Sequence, residues 1–85
     1  MYKVFIESHA EKDLDALDKS FRKKVIERLL LLKHNPRPAG SKKLVDSGNA
    51  WRLRFGNWRA LYEVNDKKQE IRIYRLKQRD EAYQP

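Results

Sequence analysis

The sequence predicts an α+β domain in which two N-terminal helices pack on one face of a twisted, mostly antiparallel four-stranded sheet. Three observations predict it. Apolar residues recur at helical spacing from Ala10 to about Asn35, where Asn35-Pro36-Arg37-Pro38-Ala39-Gly40 stops the pattern. Beyond that stop lie three segments with strand-like alternation, near Ala50 to Phe55, Trp58 to Val64 and Glu70 to Lys77. The first two are joined by Gly56-Asn57, a strong two-residue hairpin signal.

Each element has a local cause. Tyr2 to Ser8 alternates Tyr2, Val4 and Ile6 against Lys3, Phe5 and Glu7, which reads as the fourth strand. Ala10 to Leu17 reads as a short helix whose acids Glu11, Asp13 and Asp15 suit its positive end. Ser20 is the expected N-cap of the second helix, with Phe21, Val25, Leu29 and Leu32 along its buried stripe. Leu29 to Leu32 sweep most of the way round a helix, so one leucine, Leu31, is expected on the surface. A single exposed leucine is ordinary.

The 85 residues make one domain, residues 1–85, with a small core. No cysteine is present, so disulfides and thiol chemistry are excluded. No apolar run approaches the ~20 residues that span a bilayer, and the N-terminus lacks a signal-peptide pattern. The expected location is cytoplasmic. Twenty Lys and Arg against twelve Asp and Glu give a net charge of +8. Residues 1–40 carry +3 of it and residues 41–85 carry +5, much of that as arginine. A polyanionic partner is expected, nucleic acid ahead of membrane, because guanidinium forks suit phosphate and no basic amphipathic helix stands out.

The Gly56-Asn57 turn fixes a register. Phe55 should face Trp58, Arg54 face Arg59, Leu53 face Ala60, Arg52 face Leu61 and Trp51 face Tyr62. Trp51, Leu53, Phe55, Trp58, Ala60 and Tyr62 then share the face that packs on the helices. Arg52, Arg54 and Arg59 share the other. Like charges directly opposite cost up to about 1 kcal/mol, a penalty that an anion on that face would remove. A turn centred on Asp66-Lys67 would set Tyr74 opposite Arg59, Arg72 opposite Leu61 and Glu63 opposite Glu70. One end of the face would be an arginine cluster and the other a self-neutralising fringe. Arg79 and Tyr83, four apart, would share a side on one helical turn.

The residues favour metal-free chemistry. His9 and His34 do not lie in ligand spacing with each other or with a carboxylate, and His34 near a helix C-terminus reads as structural. No glycine-rich phosphate loop or Ser/His/Asp arrangement is visible. RNA carries its own nucleophile, the 2′-OH, and clustered arginines can stabilise charge that develops on a phosphate. The proton acceptor would be Tyr83 or Tyr74, if neighbouring arginines lower the phenol pKa.

The order strand, two helices, Pro-containing loop and three strands, with "WRLRFGNWRALYEV" and a closing "LKQRDEAY", resembles the RelE/ParE toxin superfamily of type II toxin–antitoxin modules. "EKDLDALDKSFRKKVIERLLLLKHNPRP" is similar to that family's helical hairpin, and Lys42-Lys43-Leu44 also fits. The resemblance implies a RelE-like microbial ribonuclease fold and a metal-independent, cofactor-free endoribonuclease that cuts mRNA on the ribosome. It also implies inhibition by a cognate antitoxin, acidic or amphipathic, covering the helices, the groove or both. By the same resemblance Arg52, Arg54 and Arg59 bind the phosphate, Arg79 serves the leaving oxygen, and Tyr83 is base or stacking partner. Lys42, Lys43, Arg72, Tyr74 and Lys77 complete the expected RNA-binding set. The chain departs from the pattern twice. Arginine replaces the lysine that some members carry at the paired positions 52 and 54, and Gln78 stands where many relatives have histidine. The alternatives are a ParE-like toxin that inhibits DNA gyrase and a non-catalytic RNA-binding module.

Overall fold

The computed structural model describes residues 1–45 and 48–78. Its elements in chain order are β1 (Lys3–Ile6), α1 (Ser8–Asp15), α2 (Lys19–Leu30), a 3₁₀ turn (Leu31–Lys33), β2 (Ser41–Lys43), β3 (Ala50–Phe55), β4 (Trp58–Asn65) and β5 (Glu70–Gln78). The sheet order is β1-β5-β4-β3-β2, with β1 parallel to β5 and the other neighbours antiparallel. The sheet thus has five strands rather than the four expected. The additional one, β2, is Ser-Lys-Lys directly after a Pro/Gly segment and carries no alternation to announce it.

The helices form where their apolar spacing requires. Ala10 and Leu14 of α1 and Val25 and Leu29 of α2 lie on buried stripes, and Leu32 continues the second. Asp18, not Ser20, caps α2: its carboxylate accepts from the backbone N–H of Ser20 (2.9 Å) and Phe21 (3.4 Å). Those are two of the donors that a helix start leaves unpaired. The α-helix ends at Leu30, five residues short of the expected Asn35, and tightens into a 3₁₀ turn closed by His34 N–H donating to Leu31 O. Pro36 disfavours helical backbone at the residue before it, so the turn is the last that fits. Leu29 and Leu32 are each 1% exposed, whereas Leu31 is 61% exposed and Leu30 44%. Two leucines, not one, face outward.

One core joins the helices to the sheet: Leu14, Val25, Leu29 and Leu32 meet Leu53, Phe55, Ala60, Tyr62, Ile71, Ile73 and Leu76. Trp51 and Trp58 pack half-buried against it, so the predicted inner face of the hairpin is the observed one. The Pro loop is tied down across the sheet. Tyr62 donates its hydroxyl hydrogen to Pro36 O (2.8 Å), and the Arg37 guanidinium lies 5.2 Å from the Trp51 ring centre. Arg37 also grips Asp66 (Nη2 to Oδ2, 2.8 Å), which accepts from the Tyr2 hydroxyl (2.6 Å). These contacts bind β1, the loop and the β4–β5 turn to one another.

The β3–β4 register is the predicted one: Phe55 faces Trp58, Arg54 faces Arg59, Leu53 faces Ala60, Arg52 faces Leu61 and Trp51 faces Tyr62. Gly56 supplies the turn with φ +58°, a left-handed value that a residue with a side chain adopts only at a cost.

The β4–β5 register differs from expectation. Arg59 faces Lys77, Leu61 faces Arg75, Glu63 faces Arg72 and Asn65 faces Glu70, with a bulge between Leu61 and Tyr62 that leaves Tyr74 as the extra residue. The loop has four residues, Asp66 to Gln69, and is centred one residue later than expected. Lys68 N–H donates to Asn65 Oδ1, Gln69 N–H donates to Asp66 O, and Gln69 takes φ +52°. Turn and bulge together displace Tyr74 from Arg59 and put Lys77 there.

Candidate nucleic-acid interface on the open sheet face

Alternation along β4 sends Ala60, Tyr62 and Val64 into the core and Arg59, Leu61, Glu63 and Asn65 to the face away from it. Cross-strand pairing extends this open face into two rows. One row is Lys42, Arg52, Leu61 and Arg75; the next is Arg54, Arg59 and Lys77. At about 4.8 Å between strands, the second row sets three cations within roughly 10 Å. Among the described residues, neither row contains a carboxylate.

Arg54 and Arg59 differ sharply in setting. Arg54 is exposed, whereas Arg59 is only 2% exposed, the one charged residue that is buried among the described residues. Its Nη1 donates to Gly56 O (3.2 Å) and Trp58 O (3.1 Å), the carbonyls of the turn that made the register. Part of the like-charge penalty is therefore offset within the chain by backbone dipoles. Arg59 is a cation held in one place, and Arg54 is a cation on a free tether. Lys77 and Arg52 are half-exposed beside them.

The expected RNA-binding residues separate into groups. Lys42 and Lys77 join the basic rows. Lys43 faces Trp51, so its side chain leaves β2 on the opposite side from Lys42, and both are exposed. Arg72 lies five residues from Lys77, about 15 Å along the strand. It is occupied there: it stacks on Phe5 (4.5 Å to the ring centre) and pairs with Glu70 (3.5 Å) and Glu7 (3.7 Å). The fringe expected at that end is present, but its facing pairs are Glu63–Arg72 and Asn65–Glu70, not Glu63–Glu70. Tyr74 is half-buried, and its phenol is pushed above the ordinary value by burial first and by the Glu63 charge second. That is the opposite direction to the lowering by arginines expected for a base. Arg79 and Tyr83 lie outside the described residues.

One contact had no signal in the sequence. Asp13 of α1 reaches the edge of β5, where Oδ2 accepts from Arg75 Nε (2.8 Å) and from the backbone N–H of Leu76 (2.8 Å). In the sequence Asp13 belongs only to the charge pattern of its own helix, and no periodicity relates it to a residue 63 positions away.

With this geometry established, the chain matches the family model described as the ParE toxin of the type II toxin–antitoxin system parDE, over residues 4–83. Its fold matches the RelE–RelB complex of Pyrococcus horikoshii with TM-score 0.81 and 32% identity, covering 92% of this chain and 94% of that one. It matches the RelBE2 toxin–antitoxin complex of Mycobacterium tuberculosis with TM-score 0.80 and 26% identity, covering 92% and 98%. The isolated E. coli RelE toxin shares the fold alone, with TM-score 0.77, 19% identity and coverage of 92% and 84%. No curated protein sequence matches the chain. The class that fold and basic face define is the small α+β toxin. The chain belongs to the RelE/ParE superfamily of type II toxin–antitoxin toxins.

Proposed function

We propose that this toxin is a metal-independent endoribonuclease that cuts mRNA on the ribosome and is silenced by a cognate antitoxin. The observation that carries the reading is the row Arg54, Arg59 and Lys77, three cations on one face with no carboxylate among them. The antitoxin is inferred from the RelE–RelB pairing of the similar complexes.

In the proposed step the 2′-OH of the substrate attacks the adjacent phosphorus. The P–O5′ bond breaks, leaving a 2′,3′-cyclic phosphate on one fragment and a 5′-OH on the other. Negative charge builds on the non-bridging oxygens in transit, and fixed cations there lower the barrier more than mobile ones. Arg59, pinned by two carbonyls and almost fully buried, supplies charge from beneath the surface. Arg54, Arg52 and Lys77 supply donors that a phosphate can reach, and Lys42 extends the track. Arginine cannot accept the proton at neutral pH. By resemblance Tyr83 takes that proton or stacks on a base, and Arg79 serves the leaving oxygen.

The test uses the purified chain and ribosomes programmed with a defined message. The reading expects fragments ending in a cyclic phosphate, with the rate reduced at least ~100-fold by Arg54→Ala or Tyr83→Ala. Intact message would contradict it. A protein-directed toxin, the alternative reading, predicts intact message together with growth arrest in cells.

A further inference from the structure

β1 pairs with β5 only as far as Ile6 opposite Ile73, and the last of that contact is Glu7 N–H donating to Ile73 O. Beyond that point no strand among the described residues lies beside the outer edge of β5, and a strand edge carries backbone groups that need partners. This is also where the bulge puts an extra residue, Tyr74, into β5. Arg75 to Gln78 follow, and Lys77 of this stretch stands opposite Arg59. The stretch that completes the basic row thus begins at a bulge and, among the described residues, has a strand beside it on one side only.

Asp13 occupies that edge. Its Oδ2 accepts the Leu76 backbone N–H (2.8 Å) and the Arg75 Nε–H (2.8 Å), with a longer contact from Arg75 Nη2 to Oδ1 (3.5 Å). Leu76 is 2% exposed, so its N–H has little access to water as a substitute acceptor. The Asp13 side chain is itself only 19% exposed. A carboxylate on a helix thus does for one backbone position what a sixth strand would do.

We infer that Asp13 is a positioning residue: by accepting the Leu76 N–H it sets the register of β5 after the bulge and so holds Lys77 against Arg59. The inference rests on the nuclease reading for its effect on turnover, while its structural part stands without it. It also supplies a route from the helical layer to the open face. A partner that displaced α1 would release Leu76 and loosen the basic row without touching an arginine.

Three variants separate the parts. Asp13→Ala removes both contacts, Asp13→Asn retains a carbonyl acceptor for Leu76 but loses the ion pair, and Arg75→Ala removes the ion pair while leaving the Asp13 carboxylate for Leu76. Two readouts are taken on the folded full chain: hydrogen exchange at Leu76 to Gln78, and kcat and KM on programmed ribosomes. Asp13→Ala is expected to speed exchange at Leu76 at least tenfold. It should lower kcat about tenfold to a hundredfold with KM within about twofold, the signature of displaced groups in a folded protein. Asp13→Asn should hold kcat within about threefold of wild type. Arg75→Ala, which also removes a cation of the outer basic row, is read by exchange alone and should leave Leu76 exchange within about threefold of wild type. Equally fast Leu76 exchange in Asp13→Ala and Arg75→Ala would overturn the inference, because the ion pair and not the backbone contact would then hold the strand. Unchanged Leu76 exchange in Asp13→Ala would overturn it as well. If wild type cuts no message, the nuclease reading fails, and the exchange measurement alone decides whether Asp13 holds the strand.

Discussion

Arg54 and Arg59 stand directly opposite each other across the β3–β4 hairpin, one exposed and the other 2% exposed with its Nη1 on the carbonyls of Gly56 and Trp58. A like-charged cross-strand pair is unfavourable, and the two carbonyls on Arg59 offset only part of that cost. Replacing Arg54 by Thr removes the repulsion and introduces a good strand former. The expected result is a gain of a few tenths to about 1 kcal/mol in urea unfolding, with RNA affinity falling at the same time. A loss of stability would mean that Arg54 has a structural role.

Arg59 should behave in the opposite way. Arg59→Met keeps much of the apolar stem but leaves the Gly56 and Trp58 carbonyls without their donor. Unfolding measurements should show a loss of about 1–3 kcal/mol. A neutral outcome would place the guanidinium elsewhere than on the turn.

The leucine run offers an internal control. Leu32→Ala, at a position 1% exposed, should cost about 2–5 kcal/mol, while Leu31→Ala, at 61% exposure, should stay within about 0.5 kcal/mol. Comparable losses at the two positions would refute the 3₁₀ turn that separates them.

Stability should fall away at both ends of the pH range. The Asp66 carboxyl is held below its ordinary value by the Arg37 hydrogen bonds first and the Tyr2 hydrogen bond second. A depressed carboxylate contributes stability above its unfolded pKa, near 4, and loses it as pH drops through the lower folded value. The phenols of Tyr2, Tyr62 and Tyr74 are raised, Tyr2 mainly by its bond to Asp66 and the other two mainly by burial. Their contribution is complete below the unfolded value near 10 and is lost as pH climbs through the raised folded values. Urea midpoints should form a plateau from about pH 4 to 10. Asp66→Asn should flatten the acid side and Tyr2→Phe should soften the alkaline side. An acid limb unchanged in Asp66→Asn would place the sensitive carboxylate elsewhere.

RNA binding should depend on salt as a small cation row requires. Three or four phosphate contacts, drawn from Arg52, Arg54, Lys77 and Lys42, give a slope of log K against log salt of roughly −2 to −3 for single strands. Arg54→Ala should reduce the slope by about 0.7. A slope near zero would indicate that the basic face does not carry the contact.

Much of this face was legible from the sequence because one local signal governed it. Gly56-Asn57 admits few turn geometries, so it set five cross-strand pairs and the identity of each face. The second turn gave no such constraint. Asn-Asp-Lys-Lys-Gln offers several closures, and the one adopted depends on Gln69 at φ +52° and on a bulge at Tyr74 that no periodicity marks. β2 was too short and polar to register as a strand. The cap moved from Ser20 to Asp18 because both residues can accept from a helix N-terminus, and spacing alone does not choose between them. Burial of Arg59 and the reach of Asp13 to Leu76 are tertiary facts, decided by packing between elements far apart in the chain.

The most direct test of the nuclease reading is to map mRNA 5′ ends genome-wide after brief induction in a bacterial host, for wild type and Arg54→Ala. Growth arrest with new ends inside translated codons in wild type, absent in the variant, is the predicted result. Arrest without new ends, equal in both, would contradict it and direct attention to a protein target.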